Sequence, residues 1–312
     1  MMRWPGRTGG PILDPASGPV VVGGLGGSGT RVVAEMLRHL GVYTGADLNR
    51  AGDNEWFAFL CKLPRWDLEE AGPDAAALAG CLDLLERAMT GQVGPDRADR
   101  RTMRAVLERC RSWADGEERL PDDRSLDWLR ARVASLGRSR RDTPTRAAAW
   151  GWKEPNSHLF VPQLRRRFGD RLRYVHVIRN GLYMAQSTNQ SQVRRWGPGF
   201  GIPGATPSPD PVASLDFWIA ANRLAISRGR AMPAGTFLLL NHDDLCASPE
   251  DGVARFLGFL GLDPPARVVE QLVGLPNPPK PPPLTAEEMI RQFGVDRLAQ
   301  VRALGFPAAG PR

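Results

Sequence analysis

Short apolar runs rich in β-branched or aromatic residues alternate along the 312-residue chain with segments of helical spacing. The first run, Pro19-Val20-Val21-Val22-Gly23, has no charged or strongly polar position, the pattern of a strand buried on both faces of a parallel sheet. Glycines follow at once. From Arg31 the spacing turns helical, with Val32/Val33, Met36/Leu37 and Leu40 on one side and Gly41 closing the turn. Further strands are expected over 148–152, 172–178 and 236–240. Amphipathic helices are expected over 160–168, 182–193 and 212–228. Another should run from Ser248, as N-cap with Pro249 at the first helical position, through Leu260. Gly41 to Asp47 makes a poor strand. Between about 50 and 148, Met103, Val106/Leu107, Cys110 and Trp113 recur at three- and four-residue steps and read as core contacts of a helical insertion. Strands alternating with helices predict an α/β fold, a doubly wound, mostly parallel sheet flanked by helices. Ligands of such sheets bind beyond the carboxyl ends of the strands, where the loops after Gly23, Trp152 and Ile178 should converge.

Composition adds boundaries to this picture. A chain with 42% hydrophobic and 24% charged residues lies within the globular range. Residues 1–18, rich in Gly, Pro and Arg, read as a flexible leader without the apolar core of a signal peptide, and 19–312 as a single domain carrying the insertion. The formal charge of +7 favours an acidic partner such as a polyanionic nucleotide. Much of the excess lies between Arg97 and Arg146, where 14 arginines face nine acidic residues. Only Trp113 and Trp128 interrupt that run, so a solvated helical face is expected there rather than a nucleic-acid interface. Cys61, Cys81, Cys110 and Cys246 have neither disulfide-framework nor metal-ligand spacing; no metal is expected, and a cytoplasmic protein without a membrane span fits.

The chemistry concentrates in Gly23-Gly24-Leu25-Gly26-Gly27-Ser28-Gly29-Thr30-Arg31. Between a strand and a helix, such a loop offers free backbone N–H groups and a positive helix end to a phosphate, and Ser28 and Thr30 add hydroxyls. The Walker pattern fails, because Thr30 and Arg31, not Lys and Ser/Thr, follow Gly29. Gly24, Gly26 and Gly29 satisfy the dinucleotide fingerprint literally, but that motif also needs a second strand ending in an acidic residue. A dinucleotide-binding oxidoreductase and a non-catalytic nucleotide- or RNA-binding protein stay open as alternatives.

The same loop resembles the 5′-phosphosulfate loop of PAPS-dependent sulfotransferases (PAPS, 3′-phosphoadenosine 5′-phosphosulfate), a P-loop-like element with a basic residue before Ser-Gly-Thr-Thr. Ser28-Gly29-Thr30 matches; Gly27 stands in place of the basic residue and Arg31 in place of the second Thr. Tyr174-Val175-His176-Val177-Ile178-Arg179, with Ser187 eight residues on, is similar to the family's 3′-phosphate motif. Trp152-Lys153-Glu154-Pro155 resembles its Lys-Asp/Glu-Pro segment, and Asn241-His242-Asp243-Asp244-Leu245 with Phe259-Leu260-Gly261-Leu262 its later structural stretch. The matches cover about 19–45 and 148–262 in the family's order, as in a bacterial-type member. The resemblance implies sulfuryl transfer from PAPS to a hydroxyl or amine of a small-molecule acceptor. It implies donor binding by Gly26, Gly27, Ser28, Gly29, Thr30, Arg31, Arg179 and Ser187, and catalysis by Lys153 with Arg31. The base would come shortly after the first helix, where Asp53 stands first and Glu55 second, with His158 a third choice. The insertion and the proline-rich 264–283 segment match nothing in the family and are expected to shape acceptor recognition.

Overall fold

The computed structural model describes residues 18–66, 68, 72–93, 97–114, 126–144, 149–187, 191–202, 210–278 and 284–307. The expected leader lies outside them except for Gly18, as do the first residue of the 148–152 strand and part of the proline-rich segment. Five strands form one sheet in the order β2-β3-β1-β4-β5, every pair parallel: β1 (Val20–Gly24), β2 (Val42–Tyr43), β3 (Ala149–Lys153), β4 (Arg173–Ile178) and β5 (Phe237–Asn241). The 41–47 segment, read as a poor strand, forms only the two-residue β2. It pairs with β3, and β1 lies between β3 and β4.

Alternation along the strands divides the core into two layers. Val20, Val22, Val175 and Val177 turn to one face, where α1 (Thr30–His39), α11 (Pro249–Leu260) and α12 (Ala266–Val273) cover them. Val21, Trp150, Trp152 and Tyr174 turn to the other, against the insertion and α6 (Val161–Phe168). The insertion comprises α2 (Glu55–Phe57), a π-helical turn Ala58–Lys62, α3 (Ala75–Met89), α4 (Arg97–Ala114) and α5 (Leu126–Asp142). Its key to the sheet is aromatic. Phe57 and Trp152, both fully buried, stack with centroids 5.4 Å apart. Burial of such a side chain is worth about 1.5–3 kcal/mol and the ring pair about 0.5–1.5 more. A third cluster joins Leu25 and Ile178 to α7 (Gly181–Ala185), α9 (Pro211–Arg230) and α13 (Ala286–Ala303).

Two helix expectations need correction. The helix predicted over 182–193 is interrupted: α7 closes at Ala185 and α8 (Ser191–Trp196) begins afresh. Gln186 and Ser187 leave the helix, with the Ser187 N–H donating to Met184 O at 3.0 Å, and residues 188–190 lie outside the described residues. Ser248 precedes α11 and Pro249 opens it as predicted, but the serine side chain makes no capping bond. Within the basic run, Arg109–Asp74 and Arg132–Asp47 tie the helices to neighbouring elements, and Asp99 of the same run pairs with Arg87. The side chain of Trp113 lies outside the described residues. α10 (His242–Ala247) completes the helices that border the site.

Candidate active site

The parallel register brings Gly24, Lys153, Ile178 and Asn241 to one edge of the sheet, and β1 stands where the strand order reverses, the usual ligand position in an open α/β sheet. From there the glycine loop turns into α1. Gly27 has φ +91° with no atom within 4 Å of where a Cβ would lie; the backbone angle, not crowding, selects glycine. Gly29 has the same φ and also faces His242, whose Cδ2 would lie 1.9 Å from an added Cβ. Ser28 is 1% exposed, and its Oγ has no hydrogen-bond partner among the described residues. Thr30 is buried on the first turn of α1, and Arg31 beside it is exposed.

Arg179, at the end of β4, reaches this loop. Its Nη1 donates to Gly27 O at 3.0 Å, its carbonyl accepts from Trp218 Nε1 at 3.1 Å, and its buried Nε has no partner among the described residues. A buried donor left unsatisfied costs about 1–3 kcal/mol, which makes Ser28 Oγ and Arg179 Nε candidates for bonding a ligand. Ser187 is exposed and lies two residues beyond the end of α7, not on it; its N–H donates to Met184 O at 3.0 Å.

Lys153 and Asp53, 100 residues apart in sequence, meet directly. Asn54 N donates to Lys153 O at 2.8 Å, docking the start of the insertion on the end of β3. Asn49 Oδ1 accepts from Ala51 N at 2.8 Å and Asp53 N at 2.9 Å, folding the segment into a tight Asx-type turn. Lys153 Nζ then donates to Ala51 O at 2.9 Å and pairs with Asp53 Oδ1, while Asn49 Nδ2 donates to Asp53 Oδ2 at 2.8 Å. Lys153 is 2% exposed and the Asp53 side chain 19%. Both carboxylate oxygens of the first-choice base are therefore engaged. Glu55, the second choice, is buried on α2. His158, the third, is fully buried, with Nδ1 against Pro155 O at 2.9 Å.

Sequence reasoning missed several groups around this edge. Lys62, from the π-helical turn, pairs with the buried Glu154 at 2.9 Å. Gln192 on α8 bridges Gly26 and Asn156. Beneath the loop, the His158 and His176 rings lie 6.1 Å apart, and His176 Nε2 meets Asn222 Oδ1 at 2.9 Å. Burial holds His158 below the usual histidine range and takes His176 down to about 3, with the neighbouring His158 adding to it. Burial likewise lowers His242 to about 4, assisted by Arg179, and raises the Asp243 carboxyl. The only local sequence signal for these neutral histidines is their place in or beside strands. Among the described residues no group of three or more His, Cys, Asp or Glu could hold a metal ion. No helix among them is long and apolar enough to cross a membrane.

The neighbours of β1 bear on the dinucleotide alternative, which wants the second strand beside the first; here β3 and β4 flank β1. Among solved structures, the sulfotransferase STF9 from Mycobacterium avium is similar at 14% identity and a TM-score of 0.45, over 94% of this chain and 76% of that one. Sulfotransferase STF1 from Mycobacterium tuberculosis H37Rv is similar at 15% identity and a TM-score of 0.42, over 92% and 76% of the two chains. A sulfotransferase domain from the curacin biosynthetic pathway gives 11%, 0.41, 80% and 76% for the same quantities. No curated protein matches the sequence. Residues 19–265 match the profile of the sulfotransferase family, a span that takes in the glycine loop, Lys153 and Arg179, and on that match the chain belongs to the sulfotransferase family.

Proposed function

We propose that this protein moves a sulfuryl group from PAPS to a hydroxyl or amine of a small-molecule acceptor and releases adenosine 3′,5′-bisphosphate. The observation that carries the reading is the convergence of two unsatisfied buried groups, Ser28 Oγ and Arg179 Nε, on a glycine loop at the carboxyl edge of a parallel sheet. Backbone N–H groups of Gly27, Gly29 and Thr30, with the Ser28 and Thr30 hydroxyls, suit the 5′-phosphosulfate, and exposed Arg31 adds charge beside them; the Gly26 N–H donates to Gln192 Oε1 and the Ser28 N–H to Leu25 O. Arg179, with Ser187 at the rim, suits the 3′-phosphate: the guanidinium is a fixed cation with several donors.

In the transfer, the acceptor oxygen or nitrogen forms a bond to sulfur as the bond from sulfur to the bridging oxygen breaks, and the departing electron pair stays on the 5′-phosphate. By analogy with phosphoryl transfer, positioning and charge stabilisation carry most of the catalysis. Lys153 is the cation for the developing negative charge. The acceptor's proton passes to Asp53, whose bond to Lys153 or Asn49 opens for the purpose. Glu55 is the second choice and His158 the third; burial that lowers its proton affinity disfavours the histidine. We take 19–312 as one catalytic unit, and four cysteines outside any disulfide suit a cytoplasmic enzyme.

One observation favours a second reading, nucleotide binding without turnover: Gly27 brings no cation to the loop, and Lys153 is already engaged by Asp53. Incubating the protein with labelled PAPS and a panel of hydroxylated and aminated metabolites separates the two. Acceptor-dependent release of adenosine 3′,5′-bisphosphate supports transfer; tight binding of PAPS with no release across the panel supports the second reading.

A further inference from the structure

Gly26 lies at the exposed tip of the glycine loop, yet its N–H is not open to solvent or ligand. Gln192 Oε1 accepts from it at 2.6 Å, and the side chain is close enough that a Cβ on Gly26 would lie 3.3 Å from the same oxygen. The other end of the carboxamide is equally occupied: Gln192 Nε2 donates to Asn156 Oδ1 at 2.7 Å. Asn156 Nδ2 in turn donates to Glu154 Oε1 at 2.9 Å, the oxygen that pairs with Lys62 Nζ at 2.9 Å. Three residues along α8, Arg195 Nη2 donates to Lys62 O at 3.0 Å. A continuous polar chain therefore runs from the loop tip through Gln192, Asn156 and Glu154 to the insertion.

We propose that Gln192 is a positioning residue that caps the anion loop in the resting protein and is displaced by the donor. The inference rests on the PAPS reading above and assigns that site a regulation. A carboxamide oxygen imitates an anionic oxygen at the Gly26 amide, but it is neutral. A charge-assisted hydrogen bond to the same N–H is about twice as strong, so the donor's anionic oxygen wins the exchange. Once Gln192 Oε1 leaves the Gly26 amide, the link from the loop tip through Asn156 to the Glu154–Lys62 pair is broken. Donor binding is in this way reported to the insertion, whose start also carries Asp53.

The test is the PAPS affinity of three proteins by calorimetry, with a thermal melt of each. Gln192→Ala removes the competitor and should bind PAPS about two- to tenfold more tightly, the worth of one neutral hydrogen bond. Gln192→Glu places a carboxylate against the same amide; it caps more strongly, repels the donor and should bind several-fold more weakly. A merely structural role for Gln192 would weaken binding in both variants. Unchanged or weakened binding in Gln192→Ala overturns the cap while leaving the donor assignment intact; no PAPS binding by the wild-type protein overturns both. An amide resonance of Gly26 that moves on PAPS addition in the wild type, and starts displaced in ligand-free Gln192→Ala, gives the same answer without reference to affinity.

Discussion

Replacement of Lys153 by Met keeps the length of a side chain that is 2% exposed and removes only its charge and donors. Two costs follow, and they are measured separately. Removing one member of a buried ion pair costs about 3–5 kcal/mol when the other charge is left stranded. Asp53 is not fully stranded: its side chain is 19% exposed and it keeps the Asn49 bond at 2.8 Å. The stability loss should therefore fall at or below the lower end, about 2–3 kcal/mol, in urea denaturation. Turnover should fall about a hundredfold or more, as when one preorganised charge-stabilising group is lost from an active site. Affinity for adenosine 3′,5′-bisphosphate should change less than about threefold, because Lys153 belongs to neither phosphate subsite, and that measurement is the control for misfolding. Asp53→Asn completes the comparison, since the amide can still accept from Lys153 but cannot take a proton. Near-normal turnover in Lys153→Met, with the predicted loss of stability, would refute the mechanism and leave the pair a structural clamp. If Asp53→Asn turns over and Glu55→Gln does not, the base is Glu55.

Two further outcomes follow from the site's packing. Gly29→Ala forces a non-glycine residue to φ +91° and drives its Cβ into the His242 ring, so the denaturation midpoint should drop by the equivalent of at least about 1–3 kcal/mol, and PAPS affinity with it; an unchanged midpoint would show that the loop does not hold this conformation. His176 and His242 have folded-state pKa values lowered to about 3 and about 4, below the ordinary value near 6.5, so the unfolded chain binds more protons between those limits. Their contribution to stability is complete above about pH 6.5 and is lost as the pH falls, at about 1.4 kcal/mol per pH unit for each histidine. Urea titrations at pH 7.5 and 5.5 should show the loss, and His176→Asn should reduce it; a flat profile would contradict the buried neutral histidines.

How far the sequence could be read depended on the range of the contact concerned. β3, β4 and β5 showed as short runs rich in aromatic, β-branched or leucine residues; β1 was visible because a strand buried on both faces writes an unbroken apolar run, and Val20 to Val22 needs no partner to be recognised. Val42–Tyr43 was not, since two residues make no pattern and pairing with β3 lies over 100 residues away. The helix predicted over 182–193 followed its apolar spacing, which does not mark the stop at Ala185. At the candidate site, local motifs single out Ser28, Gly29 and Thr30 between β1 and α1, Lys153 as the last residue of β3 and Arg179 just past β4. Pairings across the fold were silent: nothing near Asp53 announces Lys153, and nothing near Gln192 announces Gly26, 166 positions earlier.

The donor assignment is tested most directly by calorimetric titration of adenosine 3′,5′-bisphosphate and AMP into the wild-type protein and Arg179→Ala. Arg179 carries a buried, unsatisfied Nε beside the loop. A charged hydrogen bond to the 3′-phosphate is worth roughly 2–4 kcal/mol, so the wild type should prefer the bisphosphate by about 30-fold to nearly a thousandfold. Arg179→Ala should lose that preference and keep its AMP affinity, with Ser187→Ala behaving likewise but more weakly. Equal affinity of the wild-type protein for the two nucleotides would contradict PAPS as the donor.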